Sequence, residues 1–384
     1  MAEKKVIGVI GGGQLGRMFI EEAIRYNIDC IILDADKNCP ASAIAHDHII
    51  GSITESEPIH QLAKRCDVLT YEIEHILIES LIEIEAQEKK LIPSASILQM
   101  IQDKGMQKKF YADKQIPTAD FEIVSSPENW LLVLQKKNWK KFVAKLCRDG
   151  YDGKGVEILE TKNILNNPDL IPFKGQTVLE EFIESEMEIA IIVARNEQGD
   201  INCFPAVEME FDADANLVTM LICPARTTHE IQNEAEKIAL KVVKEMNGVG
   251  LFAVELFLGI DGKIYVNETA PRPHNSGHHT IEACYTSQYE QLLRILIGLP
   301  LGSTQIIKPS VMLNILGSKN FKGKYFLDGM KEVLSIEGVY IHMYGKHESK
   351  PMRKMGHVTI LGNTIEQAID KAKMVQSVLK ISQL

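Results

Sequence analysis

The sequence predicts an α/β and α+β protein, with a doubly wound parallel-sheet domain first, a central antiparallel-sheet domain next and a small mixed domain last. Residues 1–96 alternate short apolar runs with amphipathic stretches, the pattern of βαβ units. Hairpins replace these crossovers in residues 97–300, and residues 301–384 mix short strands with a closing helix. We expect the three parts to pack into one rigid body.

Apolar runs and turn residues place the elements of the first domain. The runs predict strands at residues 6–10, 30–33, 68–71 and 91–92. Helical spacing occurs at residues 15–26 and 76–89, and the turn after the first strand is Gly11-Gly12-Gly13.

Two hairpins and a final helix organise the rest of the chain. Residues 187–195 and 201–207 flank one turn, and residues 251–259 and 263–269 flank Asp261-Gly262. The last domain has predicted strands at 311–315, 339–344 and 357–361, with a helix over 364–379.

Composition excludes several classes of protein. With 384 residues, 45% hydrophobic and 24% charged, the chain matches a globular protein of two or three domains. A net charge of -10 without a long basic run argues against extended nucleic-acid binding. The first apolar run is too short for a signal peptide or a membrane span, so we expect a cytosolic protein. The seven scattered cysteines have no zinc-site spacing.

Two glutamates are predicted to face each other in the second hairpin. A two-residue turn would pair Ile260 with Lys263, which places Glu255 opposite Glu268. Like charges in that arrangement destabilise a sheet, and Glu255 also interrupts an apolar run. Mg²⁺ is the simplest compensation, since it is usually held by one or two carboxylates and substrate phosphates. The alternative is a solvated sheet face on which each glutamate pairs with a lysine.

A glycine-rich loop follows the short apolar strand that ends at Lys145. Residues 148–155 contain three glycines and Lys154, which suits main-chain N–H donors approaching phosphate oxygens. Gly155 follows Lys154, so the Walker spacing is absent. Taken alone, such a loop is more often only a turn. Residues 178–183 then form a strand edge, with Glu188 five residues on, that could bind adenine and ribose or simply be solvated.

The run Asn267-Glu268-Thr269-Ala270-Pro271-Arg272-Pro273-His274-Asn275-Ser276-Gly277-His278 closely resembles the N5-carboxyaminoimidazole ribonucleotide synthetases, ATP-grasp enzymes of purine biosynthesis. Motifs at residues 13–18, 71–74, 150–155 and 353–357 extend the resemblance over nearly the whole chain. The resemblance implies an ATP-grasp fold with a mobile lid near residues 120–180, use of ATP and Mg²⁺, and a homodimer. The family joins 5-aminoimidazole ribonucleotide to bicarbonate through carboxyphosphate.

The resemblance also implies roles for individual residues. Contacts to ATP are expected from Lys104, Lys145, Gly150, Tyr151, Asp152, Gly153, Lys154, Gly155, Val156, Glu180, Glu181, Phe182, Ile183, Glu188, Glu208, Asn267 and Glu268. The ribonucleotide would contact Gly13, Gln14, Leu15, Glu72, Tyr151, Arg353 and Lys354. Catalytic roles fall to Arg272, His274, Asn275, Asp152 and Lys154, and Mg²⁺ ligation to Glu255 and Glu268.

Two departures from the family pattern weaken single contacts. Met100 stands where a basic residue is often found, four positions before Lys104. Glu208 is followed by Met209, Glu210 and Phe211 rather than by Asn and His, which puts its nucleotide contact in question.

Three other functions are compatible with parts of the sequence. Gly11, Gly13 and Gly16 with Asp34 reproduce the dinucleotide fingerprint of a dehydrogenase, although this explains only the first domain. In the ligase interpretation, Gly13, Gln14 and Leu15 instead offer a helix N-terminus to an anionic substrate. Another ATP-grasp carboxylase or transformylase would share the ATP site, and a nucleotide-regulated binding protein would have lost the chemistry. His278 and His279, beside His274, could be metal ligands, but no cysteine or carboxylate completes a tetrahedral set, so no role is assigned to them.

Overall fold

The computed structural model describes residues 5–384 apart from residues 149, 151–154 and 213–216. The first domain contains a parallel five-stranded sheet in the order β3-β2-β1-β4-β5. Its strands are β1 Val6–Ile10, β2 Asp29–Asp34, β3 Asp47–Ile50, β4 Val68–Tyr71 and β5 Lys90–Leu91. Its helices are α1 Gln14–Arg25, α2 Ser56–Arg65 and α3 Ile78–Ala86.

The two faces of this sheet are both covered, as a doubly wound fold requires. Ile7 and Val9 pack in the same core as α1, while Ile10 packs with residues of α2 and α3 on the other face. The sequence did not predict β3 or α2. β3 is a four-residue strand with two polar residues, and Pro58 lies in the first turn of α2, where a helix tolerates proline.

A four-stranded antiparallel sheet, the small sheet below, follows the helices α4 Ala95–Ile101 and α5 Lys104–Asp113. Its strands, in the order β6-β9-β7-β8, are β6 Phe121–Val124, β7 Lys141–Leu146, β8 Val156–Glu160 and β9 Thr177–Glu181. Trp130 on α6 Pro127–Lys136 packs edge-on against Phe142, in a core to which Ile164 on α7 Thr161–Asn166 also belongs. A single 3-10 turn, Pro168–Leu170, follows α7.

A nine-stranded sheet, the large sheet below, extends through the centre and into the last part of the chain. Its main path has the order β15-β14-β10-β12-β13-β16-β19-β18, and β11 pairs with β10. The strands from the centre are β10 Ser185–Arg195, β11 Ile201–Cys203, β12 Val207–Asp212, β13 Leu217–Cys223, β14 Gly250–Gly259 and β15 Ile264–Ala270. Those from the last part are β16 Ser310–Leu316, β18 Val339–Met343 and β19 Lys354–Leu361.

The pairing of β13 with β16, in which Ile222 lies opposite Val311, joins the two parts of the large sheet. The remaining strands of the described ranges, β17 Tyr325–Asp328 and β20 Lys380–Gln383, form a two-stranded sheet with each other. The remaining helices are α8 His229–Met246, α9 Thr280–Ala283, α10 Gln288–Ile297, α11 Met330–Leu334 and α12 Ile365–Val378, with a 3-10 turn at Asn275–Gly277.

The β14–β15 hairpin has a different turn from the one expected. Leu258 pairs with Ile264, and the connection is closed by Gly262 in a left-handed conformation, with the Gly259 N–H donating to the Lys263 carbonyl. The predicted pairing of Ile260 with Lys263 is therefore wrong by one residue. An irregularity between Glu255 and Leu256 shifts the register back, so that Glu255 does lie opposite Glu268. The one-residue error in the predicted turn and the irregularity in the strands therefore cancel at Glu255 and Glu268.

Among the described helices, none combines the length and the apolarity that crossing a membrane would need.

Candidate active site

Three carboxylates lie on one face of the large sheet. Ala190 on β10 lies opposite Glu255, which lies opposite Glu268, and Glu188 precedes Ala190 by two residues and shares its face. Burial, and then the charges of Glu268 and Glu188, raise the pKa of Glu255 to about 8. Burial likewise raises the pKa of Glu188 to about 7. The face carries more negative charge than its surroundings accommodate.

Lys104 forms a close ion pair with one member of the pair, Glu268. Its Nζ lies 2.7 Å from Glu268 Oε2, and this charge is the main reason why the pKa of Glu268 falls to about 2. Lys104 begins α5, where the Asp103 side chain caps the helix by accepting from the Met106 N–H. Glu255 has instead an imidazole beside it, so the alternative in which each glutamate pairs with a lysine describes Glu268 but not Glu255.

The His274 ring is held as a neutral donor toward Glu255. The Ser276 N–H donates to His274 Nδ1 at 3.3 Å, so the ring proton belongs on Nε2, which lies 3.4 Å from Glu255 Oε1. Burial, with the nearby charges of Arg272 and Lys354, lowers the pKa of His274 to about 3. An uncharged N–H group therefore faces the carboxylate.

Arg272 and Asn275, two further residues predicted to be catalytic, lie near His274 in the chain. Arg272 Nε is 3.1 Å from Glu74 Oε1, which ties β15 to the loop after β4. The Asn275 side chain forms a reciprocal amide pair with Asn314, with both N···O distances 3.0 Å. One amide hydrogen of Asn275 is thus committed to the neighbouring strand β16.

Lys354 and Arg353 differ in their surroundings. The Lys354 charge acts on both Glu255 and His274, which places it at the carboxylate face. Arg353 Nη1 instead donates to the Glu348 carbonyl at 2.9 Å, and its charge acts on Tyr325. The charge of Lys354, and not that of Arg353, therefore acts on the site.

The small sheet faces the carboxylates through Lys145. Lys145 Nζ lies 2.9 Å from Asn267 Oδ1 and 3.1 Å from Glu180 Oε1, so it bridges β7, β9 and β15. Lys108 Nζ lies 2.8 Å from Glu180 Oε2, and both side chains of that pair are almost fully buried. Burial lowers the pKa of Lys108 to about 8, partly offset by Glu180. Lys108 was not predicted from the sequence.

The edge expected to bind adenine is partly occupied by the small sheet itself. The Glu181 N–H donates to the Asp120 carbonyl at 2.8 Å, and the Phe182 N–H donates to the Lys141 carbonyl at 3.2 Å. Ile183 is half-buried. Any main-chain contact to a base from this edge has to use groups other than these two N–H donors.

The glycine-rich loop is described only in part. Gly155 has a φ of +76° and accepts from the Leu146 N–H, and Val156 pairs with Lys145. Gly150 is half-buried. The predicted contacts of Tyr151, Asp152, Gly153 and Lys154 lie outside the described residues.

A carboxylate already lies at the N-terminus of α1. Glu72 Oε1 accepts from the Gly13 N–H at 2.6 Å, and Oε2 accepts from the N–H groups of Leu15 and Gly16, both at 3.1 Å. In this structure the N–H groups of Gly13 and Leu15 donate to Glu72, so contact of Gly13, Gln14 and Leu15 with a substrate anion stays a prediction that requires Glu72 to be displaced.

Asp34 is also engaged internally. Its Oδ2 accepts from the Gly12 N–H at 2.8 Å, and its Oδ1 accepts from the Asp36 N–H at 2.8 Å. A Cβ at Gly12 would lie 2.4 Å from Cys39 Sγ, so this glycine serves close packing within the loop. The residue that a dehydrogenase would use for the ribose is committed to the loop, which weakens the dinucleotide interpretation.

The two remaining histidines of the motif are buried and hydrogen-bonded. His278 Nδ1 lies 3.0 Å from the Tyr289 hydroxyl, and His279 Nδ1 lies 3.0 Å from the Ser276 carbonyl oxygen. Within the described ranges, no group of three or more His, Cys, Asp and Glu side chains could hold a metal ion by itself.

Three protein-family models match successive parts of this chain. Residues 4–102 match the ribonucleotide synthetase preATP-grasp domain, residues 109–289 the ATP-grasp domain, and residues 310–371 the phosphoribosylaminoimidazole carboxylase C-terminal domain. The N5-carboxyaminoimidazole ribonucleotide synthase of Bacillus subtilis is 37% identical over 357 residues, covering 93% of this chain and 91% of its own. The chain belongs to the N5-carboxyaminoimidazole ribonucleotide synthase family.

Solved structures of this synthase family have the same fold. The Thermotoga maritima synthetase superposes with a TM-score of 0.89 at 42% identity, covering 99% of this chain and 100% of the other. The Aspergillus clavatus synthase, in complex with ADP and 5-aminoimidazole ribonucleotide, gives a TM-score of 0.86 at 34% identity, covering 97% and 98%. The predicted ATP-grasp fold is confirmed.

Some relatives of this synthase family are longer. The chloroplastic phosphoribosylaminoimidazole carboxylase of Vigna aconitifolia is 38% identical over 369 residues, which cover 94% of this chain. This chain spans 64% of the length of that relative.

The departure from the synthase pattern at Glu208 has a visible consequence. Glu208 is almost fully buried and accepts from Arg226 through the main-chain N–H at 3.1 Å and Nε at 2.9 Å. Arg226 also lies 2.7 Å from Glu210, one of the residues that depart from the family pattern. Arg226 follows β13, whereas both of its partners lie on β12, and this contact was not predicted from the sequence.

Proposed function

We propose that the chain carboxylates 5-aminoimidazole ribonucleotide with bicarbonate at the expense of ATP, giving N5-carboxyaminoimidazole ribonucleotide, ADP and phosphate. The observation that carries this proposal is the convergence of the Glu255–Glu268 pair with His274, Arg272 and Lys104. Membership of the synthase family supplies the reaction class.

The ATP phosphates would lie between the small sheet and the carboxylate face. Lys145 and Lys104 supply two cations there, and both are now held by protein groups that ATP phosphates could replace. Glu188, on the same face, would accept hydrogen bonds from the ribose hydroxyls. Because the pKa of Glu188 is raised by burial, a hydroxyl partner suits it better than a second anion.

The donor set fits Mg²⁺. Ionised Glu255 beside Glu268 is unfavourable without added positive charge, as the raised pKa of Glu255 records. Two hard oxygen ligands that leave room for phosphate and water are what Mg²⁺ commonly uses. When bound, the ion would neutralise charge on the phosphates.

The reaction has two bond-forming steps. A bicarbonate oxygen attacks the γ-phosphorus, the bond from γ-phosphorus to the bridging oxygen breaks, and ADP leaves. The exocyclic amine of the ribonucleotide then attacks the carboxyl carbon of carboxyphosphate, phosphate leaves, and the amine loses a proton.

The residues after β15 would bind bicarbonate in these steps. Arg272 supplies positive charge, and the neutral His274 donates a hydrogen bond through Nε2. Asn275 retains a second amide hydrogen beyond its pair with Asn314.

The ribonucleotide would enter from the side of the first domain and the last part of the chain. Lys354 is placed to act near the carboxylate face, and Glu72 and Arg353 are further candidates. Gly13, Gln14, Leu15, Tyr151, Asp152 and Lys154 keep the roles implied by the resemblance. A homodimer and a cytosolic location also stay predictions.

The test is phosphate release from Mg²⁺-ATP, with the ribonucleotide and bicarbonate each omitted in turn. Full release is expected only when both are present, and ¹³C-bicarbonate should give a carbamate signal on the product. Release that continues without the ribonucleotide would show that the substrate assignment is wrong.

A further inference from the structure

Gln288 holds the main chain of His274 at two points. Its Oε1 accepts from the His274 N–H at 2.9 Å, and its Nε2 donates to the His274 carbonyl at 2.8 Å. Gln288 begins α10 and is wholly buried. One side-chain amide therefore satisfies both main-chain polar groups of the residue that faces Glu255.

The main chain and the side chain of Gln288 are both held in place. The main-chain N–H of Gln288 donates to Thr280 Oγ1 at 2.9 Å, and the Ser287 side chain caps α10. A Cβ at Gly277 would lie 2.5, 2.6 and 2.9 Å from the three terminal atoms of the Gln288 side chain. Glycine at position 277 is thus required to make space for the amide.

The orientation of the His274 ring follows from this main-chain contact. With the main chain fixed, the Ser276 N–H donates to Nδ1, which directs Nε2 toward Glu255. A peptide free to rotate at His274 would lose that alignment, and misplacement of a binding group by about 1 Å can cost on the order of 100-fold in rate.

We propose that Gln288 is a positioning residue for bicarbonate, acting through the main chain of His274. The proposal rests on the proposed function, because it takes His274 as a bicarbonate ligand. Gln288 itself touches no substrate in this scheme.

Gln291 provides a matched control on the same helix. It is also wholly buried, its Oε1 accepts from the Gly302 N–H at 3.0 Å, and its Nε2 donates to the Gly302 carbonyl at 2.6 Å. Both glutamines therefore make the same two-point contact from α10. They differ in that Gly302 lies in the connection from α10 to β16, away from the carboxylate face.

The experiment compares Gln288→Leu with Gln291→Leu in the full chain. Each substitution deletes a two-point contact to a main chain, so both should lower the melting temperature by similar amounts; Gln288→Leu also removes the 3.3 Å contact between Gln288 Nε2 and His278 Nδ1. Only Gln288→Leu should lower kcat/KM for bicarbonate, by about 10- to 100-fold. KM for ATP should stay within about twofold in both variants, since an orientation effect at His274 leaves the phosphate lysines in place.

A second variant covers the case in which Gln288→Leu does not fold. Gly277→Ala leaves Gln288 intact but pushes its amide away, so it should reproduce the selective loss for bicarbonate. Equal bicarbonate kinetics in Gln288→Leu and Gln291→Leu, or normal bicarbonate kinetics in Gly277→Ala, would overturn the proposal while the proposed function stands. A wild-type enzyme whose phosphate release ignores bicarbonate would overturn both, and this is measured first.

Discussion

Glu255 lies directly opposite Glu268 across β14 and β15, and the pKa values of the two carboxyl groups are shifted in opposite directions. The difference arises because Lys104 lies 2.7 Å from Glu268, whereas Glu255 has the neutral His274 beside it. Removing the charge of Glu268 should therefore have a different consequence from removing the charge of Glu255.

Glu268→Gln should abolish most Mg²⁺-dependent turnover. The substitution preserves the volume of the side chain but removes one charged oxygen ligand, for which a loss on the order of 100-fold in kcat is expected. The Mg²⁺ concentration for half-maximal phosphate release should rise as well. Glu234→Gln, on the exposed side of α8, is the control and should change neither quantity. Near-normal turnover with an unchanged Mg²⁺ requirement would remove Glu268 from the metal site.

Glu255 should make the metal-free protein less stable as the pH rises. Its folded pKa of about 8 exceeds the ordinary value of 4.5, so the folded state binds more protons than the unfolded state between these two pH values. The free energy of unfolding then falls across this window. Glu255→Gln, which mimics the protonated form, should gain about 2–4 kcal/mol over wild type at pH 8.5.

Urea unfolding in EDTA at pH 5 and pH 8.5 measures this difference. The advantage of Glu255→Gln should nearly vanish at pH 5 and grow toward pH 8.5. A stability difference that is independent of pH would mean that Glu255 ionises as an ordinary surface carboxyl does. Added Mg²⁺ should reduce the advantage, because it stabilises the ionised wild-type carboxylate.

Much of this site could be predicted from the sequence because its residues are close together in the chain. The Glu255–Glu268 hairpin and the motif after it are local, so spacing and turn signals place them. Even so, the facing of the two glutamates was predicted from a turn that is one residue too short, and an irregularity in the strands corrected the register. Hairpin spacing alone could not reveal the irregularity between Glu255 and Leu256.

Contacts between distant elements could not be predicted. Lys108 on α5 meets Glu180 on β9 because the small sheet folds over α5, and nothing near either residue indicates that approach. Likewise, the continuation of the large sheet from β13 into β16 depends on edge pairing between parts of the chain that look separate in sequence.

The buried Lys108–Glu180 pair should matter more to stability than an exposed pair. Lys108→Met leaves Glu180 buried, with Lys145 as its remaining ion-pair partner among the described residues, and breaking such a pair typically costs about 3–5 kcal/mol. Lys114→Met, which removes the exposed pair with Glu245 at the end of α5, should cost less than about 1 kcal/mol. Chemical denaturation of the two variants gives both values. Equal losses would mean that burial of the first pair contributes nothing.

Glu72 should act as a cap of α1 whatever its contact with substrate. Its carboxylate accepts from the N–H groups of Gly13, Leu15 and Gly16, although burial raises its pKa. Glu72→Gln places an amide NH₂ where at least one of these donors points, so we expect a loss of about 1–3 kcal/mol in the free energy of unfolding. Glu79→Gln, in the first turn of α3, should cost less than about 0.5 kcal/mol.

Kinetic measurements distinguish capping of α1 by Glu72 from binding of the ribonucleotide by Glu72. If Glu72 only caps α1, the folded Glu72→Gln enzyme should retain its KM for the ribonucleotide within about twofold at a temperature well below its melting point. If Glu72 also binds the ribonucleotide, that KM should rise while KM for ATP does not, because the ATP lysines Lys104 and Lys145 lie in other elements. Unchanged stability together with a raised KM would assign Glu72 to substrate binding alone. The carboxylate that now fills the helix N-terminus would then have to turn toward the ribonucleotide when it binds.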